Sequence, residues 1–158
     1  MSVVSMAFLA LTAAGPAPAA DKQPDVPAAV ATISRLAKAS PTPTTEAGKA
    51  SSERLQALVK YLERVATKDN LTASEFFNVL QVTRDAIHQG SQLAEFPEEA
   101  LCWQKAGLAL AQAQDRYCEV RVDIGTFPAQ CRDQTKAQVE IFRTTYREAL
   151  LKVIPRPE

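Results

Sequence analysis

From Ser51 onward, apolar and polar residues alternate with a helical period. Leu55, Leu58, Val59, Leu62, Val65 and Ala66 recur at steps of three and four, which places them on one face of a helix ending near Lys68-Asp69-Asn70. Thr72-x-x-Glu75 reads as a capping box, in which the hydroxyl and the carboxylate each satisfy a backbone N–H at a helix start. The helix it opens carries Phe76, Leu80, Thr83 and Ile87 on its inner face, flanked by Phe77 and Val79. Gly90 is placed to stop it, because glycine takes the left-handed terminal conformation cheaply.

A third long helix starts at Pro97-Glu98-Glu99, with proline in the first turn and acid against the positive end of the helix dipole. Its seam reads Trp103, Ala106, Leu110, Ala113, Tyr117, Val120 and Ile124, alternating threes and fours like a heptad. Gly125-Thr126-Phe127-Pro128 signals a turn, and a last helix follows with the seam Cys131, Thr135, Val139, Phe142, Tyr146, Ala149 and Val153. A turn that short makes the last two helices run antiparallel. There is no strand alternation and no internal repeat. The pattern predicts an all-α fold, an antiparallel bundle of four main helices over residues 51–155 with a flexible N-terminal arm.

The arm is residues 21–50. Ala28 to Ala39 can form a short helix with Val30, Ile33, Leu36 and Ala37 on one side. Ser40-Pro41-Thr42-Pro43-Thr44-Thr45 then breaks it, since proline donates no backbone hydrogen bond. Residues 1–20 carry no charge; an apolar run from Val3 to Ala14 leads into Ala17-Pro18-Ala19 before Asp21 and Lys22. That order is the order of a secretory signal peptide, cleaved after Ala19 or Ala20, although no basic residue precedes the apolar run. Residues 3–14 would span roughly 18 Å as a helix, short of the ~30 Å hydrocarbon core, so a membrane anchor is the poorer reading. The expected destination is periplasmic or extracellular.

Composition narrows the chemistry. The 18 basic and 18 acidic side chains cancel, which argues against a nucleic-acid partner. No phosphate-binding glycine motif is present. Three cysteines and His88 could supply four zinc ligands, but their gaps are long and no Cys-x-x-Cys hook exists. Methionine occurs only at positions 1 and 6, which removes a Met/His haem site from the mature chain. No metal and no cofactor are expected.

The cysteines are more informative. Cys102 and Cys118 lie on one predicted helix, about 24 Å apart along its axis, beyond disulfide reach. Cys118 and Cys131 flank the turn at similar depth and are the expected pair, suited to an oxidising compartment. Cys102 is left as a free thiol or as a link in a dimer.

His88, with Asp85 one turn before it and Ser91 after it, is the sole candidate for acid–base catalysis; its place near a helix C-terminus accounts for it equally well. Arg116, Arg121, Arg132, Arg143 and Arg147 crowd the last two helices, interleaved with Asp115, Glu119, Asp123, Asp133, Glu140 and Glu148 as on a solvated face. Three functions remain. The leading one is an exported, non-enzymatic bundle that binds another protein or an envelope component. The second is a small-ligand carrier or sensor with a pocket walled by Trp103, Tyr117, Phe142 and Tyr146. The third is a secreted all-helical enzyme using arginine and carboxylate groups inside the bundle.

Overall fold

A computed structural model describes residues 25–155. Helix α1 is Val26–Ala39 and α2 is Glu46–Tyr61, which runs on into a π-helical turn, Leu62–Ala66. Helices α3, Ala73–Leu93, α4, Pro97–Asp123, and α5, Gln130–Val153, follow, and no strand occurs among the described residues. The fold is all-α, with five helices packed on one another instead of four and an arm.

The arm is where the structure departs furthest from the sequence reading. Helix α1 is built into the core: Val26 and Ile33 are fully buried, and Val30 and Ala37 nearly so. These residues are spaced by four, three and four, so one face of α1 meets α4, α2 and the π-turn. Each fully buried Val or Ile gains about 1.5–3 kcal/mol over an exposed one, which outweighs the marginal stability of an isolated 14-residue helix. Asp25 begins the helix and pairs with Arg116 of α4 at 2.8 Å. The expected signal peptide, residues 1–20, lies outside the described residues.

Helix α2 begins five residues earlier than its apolar pattern suggests, because the Thr45 hydroxyl accepts from the Gly48 N–H at 3.0 Å and caps it. Its π-turn keeps Leu62 and Ala66 buried and brings the Glu63 carboxylate to the Ser34 hydroxyl of α1, at 2.6 Å. The capping box at Thr72 and Glu75 forms as the spacing predicts.

Gly90 does not end α3, which continues to Leu93. Its hydrogen faces the indole of Trp103, and a Cβ there would collide with the ring. Gly107 of α4 is similar, with Phe142 and Ile87 in the space a Cβ would need. Bare backbone at these positions lets α3 and α5 close on α4, whose buried face is wide and includes Gly107, Ala111, Gln114 and Cys118 besides the seam. Helix α4 has a half-exposed Ile124 at its C-cap, so the last seam position lies outside the core. It ends in a Schellman turn at Gly125 (φ 81°), with Thr126 N–H donating to Arg121 C=O and Gly125 N–H to Val122 C=O.

Two apolar clusters result. The larger joins α1, α2, α3 and α4 through Val26, Ile33, Leu55, Leu62, Ile87 and Leu110, with Trp103 and Phe142. The smaller sits at the turn end of the α4–α5 hairpin and holds Leu71, Phe76, Leu80, Tyr117, Phe127, Cys118 and Cys131. Cys118 and Cys131 are joined, with Cα atoms 6.1 Å apart. The Gln104–Thr145 hydrogen bond, at 2.6 Å, links the same two helices far from the turn, so they are antiparallel.

Candidate functional site

The four aromatic residues expected to wall a pocket do not converge. Trp103 and Phe142 fill the larger cluster, Tyr117 belongs to the smaller, and Tyr146 is only half buried. Tyr117 packs on Phe76 and Phe127 with ring centroids 5.6 and 5.7 Å apart. Arg121 stands over both Tyr117 and Phe127, 5.6 and 5.2 Å from their centroids, and covers this end of the core. Burial raises the Tyr117 hydroxyl above its ordinary pKa, with the Arg121 charge opposing that shift.

The arginines of α4 and α5 do not converge either. Arg116 pairs with Asp25, Arg143 with Glu140, and Arg132 with Glu119 at 3.0 Å and Asp123 at 2.8 Å. Lys136 adds a 2.8 Å bond to Glu119, and the Thr135 hydroxyl donates to Asp115 at 2.6 Å. The hydrogen bond from Lys136, then that from Arg132, holds the Glu119 carboxyl below its usual range. The same contact raises Lys136. This ladder joins two helices on the surface and leaves no inward-facing arginine cluster among these five residues.

His88 is exposed. Asp85, one turn before it, is engaged elsewhere: it accepts from Gln81 at 3.1 Å and lies 4.0 Å from Arg54. His88 shares an open groove with Ser91, Gln104, Thr145, Glu148 and Lys152, where Gln104 donates to the Ser91 hydroxyl at 2.8 Å. That bond ties α3 to α4, and among the described residues no carboxylate, Glu148 included, lies within 4.0 Å of an imidazole nitrogen to support it as a base. Cys102 is exposed and unpaired, and the described residues hold no cluster of His, Cys, Asp or Glu able to bind a metal. No described helix is long and apolar enough to cross a membrane.

One recess differs in chemistry from the charged surface around it. It lies between α3 and α5 and is about 200 Å³, lined by Phe77, Leu80, Gln81 and Arg84 from α3 and Gln134, Ala137, Gln138 and Ile141 from α5. Both helices rest on α4 and meet each other only slightly, so their outer ridges leave a furrow. Gln138 is 3% exposed and donates its amide to the Leu80 carbonyl at 3.1 Å. A second depression adjoins it through the shared Phe77 and Gln81 and includes Tyr61 and Asn78, whose amide donates to the Tyr61 hydroxyl at 2.8 Å.

Sequence reasoning did not find this furrow. Its signal was present as two stripes with helical spacing, Phe77-Gln81-Arg84 and Gln134-Gln138-Ile141. Nothing in either stripe alone says that the two would face each other. No protein family, curated protein or solved structure matches this chain.

Proposed function

We propose that this chain is an exported, non-enzymatic helical-bundle protein that acts by binding another protein or an envelope component through its outer surface. The observation that carries this reading is the filled interior. Trp103, Tyr117 and Phe142, the residues best suited to wall an internal ligand cavity, are each 3% exposed or less and packed among other side chains. A carrier needs room between those rings, and a bundle enzyme needs convergent ionisable groups. The recesses described above are furrows between helices instead. Export is supported by the bonded Cys118–Cys131 pair, which persists in oxidising compartments, and by the leader-like order of residues 1–20.

The test is fractionation of the native host, followed by sedimentation of the full chain with isolated envelope fragments and native sizing of the soluble fraction. The reading expects the mature protein outside the cytoplasm, either on the fragments or in a complex larger than the 17.2 kDa of the full 158-residue chain. A full-length cytoplasmic chain, or a free monomer in every fraction, would contradict it.

A further inference from the structure

The α3–α5 furrow is lined by one buried and three exposed polar side chains whose hydrogen-bonding positions are only partly filled by other described residues. Gln138 turns its amide nitrogen to the Leu80 carbonyl, so its carbonyl oxygen Oε1 is left without a donor in the protein. The buried side-chain atoms without partners among the described residues are Gln114 Oε1, Tyr117 OH and Arg121 Nε. Gln138 Oε1 is not among them, so it keeps some accessible surface although its residue is almost wholly buried, and Gln138 is one of the residues that line the furrow. Gln81 repeats the arrangement: its amide donates to Asp85 at 3.1 Å, and its carbonyl oxygen remains an open acceptor. Among the described residues, the exposed side chains of Gln134 and Arg84 make no hydrogen bond and no ion pair. No carboxylate lines this recess.

Two acceptors, a carboxamide and a guanidinium, each without a partner among the described residues at these positions, therefore line the same space, beside the half-buried ring of Phe77 and the exposed Ile141. Hydroxyl groups satisfy carbonyl acceptors and accept from amides, and the C–H face of a sugar ring suits the electron-rich face of an aromatic ring. A guanidinium with no internal partner favours a planar carboxylate. At about 200 Å³ the recess is smaller than drug-sized pockets and admits one ring, while the depression beyond Phe77, lined in part by the Glu75 carboxylate that Lys68 pairs at 2.8 Å, continues the track.

We propose that the α3–α5 furrow is a binding site for an acidic glycan, with one carboxylate-bearing sugar ring seated over Gln138, Gln81 and Arg84 and the next unit crossing Phe77. The inference rests on the surface-binding reading and names its occupant as a polysaccharide component of the envelope.

The experiment titrates the full mature chain, isotopically labelled, with tetragalacturonate as the acidic probe and chitotetraose as the neutral one. Amide and side-chain shifts should cluster on Phe77, Gln81, Arg84, Gln134 and Gln138. The acidic probe should bind at least tenfold tighter than the neutral one. Arg84→Gln should erase that difference, and Phe77→Ala and Gln81→Ala should each weaken binding about tenfold. Lys38→Ala, on the far groove beside α1, should leave it unchanged.

Equal binding of both probes would overturn the carboxylate assignment. Shifts that map elsewhere, or no binding up to about 5 mM, would overturn the site. Sedimentation of the same variants with envelope fragments separates the two levels. If the chain sediments but neither probe binds, the glycan inference fails and the surface-binding reading survives. If the chain does not sediment and forms no complex, that reading fails as well.

Discussion

Helix α1 and the α4–α5 hairpin are both essential to the packed unit, but they are held by different forces. The hairpin is fastened locally, by a disulfide, a Schellman turn and an ion-pair ladder whose partners lie within about two dozen residues of one another. Helix α1 has no covalent fastening. It is held by Val26, Val30, Ile33 and Ala37 inserted against partners distant in sequence, with Asp25–Arg116 and Ser34–Glu63 at its margins. Non-directional apolar burial therefore attaches the first helix, while covalent and charged contacts fix the register of the last two.

The sharpest way to break the comparison is Ile33→Ala. If α1 is core, urea unfolding should show a loss of about 2–5 kcal/mol, the cost of emptying a fully buried isoleucine site. A change within about 0.5 kcal/mol, as for a surface position, would restore the flexible arm. Next comes Cys118→Ala with Cys131→Ala. The bond closes a loop with a sequence separation of 13, so the chain-entropy model gives a loss of about 3 kcal/mol. The folded topology should survive, because the ladder and the seam remain. A variant that unfolds outright would show that the hairpin depends on its covalent link alone.

A smaller effect is expected at the joint between the two regions. Gly90→Ala gains helix propensity of about 1 kcal/mol but drives a methyl into the Trp103 ring, a strain of about 1–3 kcal/mol. The net expectation is destabilisation, with a changed Trp103 fluorescence spectrum. Stabilisation with unchanged fluorescence would mean that Gly90 has no packing role. The smallest effect is electrostatic. Glu119 has its folded pKa depressed by Lys136 and Arg132, so its contribution is present above the unfolded carboxylate range and fades as pH falls through the folded value. Glu119→Gln should lower the melting temperature slightly at neutral pH and not in acid, and high salt should shrink the difference because these side chains are solvated.

The same contrast explains what could be read from the sequence. The hairpin was legible because its signals are local: a seam of threes and fours, a Gly-Thr-Phe-Pro turn, and two cysteines at matching depth. The capping box at Thr72 was legible for the same reason. Helix α1 had the right period, but Pro41 and Pro43 behind it made it look detached, and only the facing surfaces of α4 and α2 reveal that it docks. Gly90 was misread because a helix-stopping glycine and a close-approach glycine are identical until Trp103 is in place. Tyr117 had the period of Trp103 and Phe142, yet the bundle divides them between two clusters. The α3–α5 furrow is harder still, since its stripes are separated by a whole helix and become a site only when both lie on α4.

Hydrogen exchange of the full chain, measured with and without envelope fragments from its own host, tests most directly whether the molecule works through its surface. New protection should appear on the outer faces of α3 and α5 around Phe77, Gln81 and Gln138, with the Trp103–Phe142 interior unchanged. Protection centred on that interior, or no change anywhere while the fragments remain in excess, would contradict action through the surface.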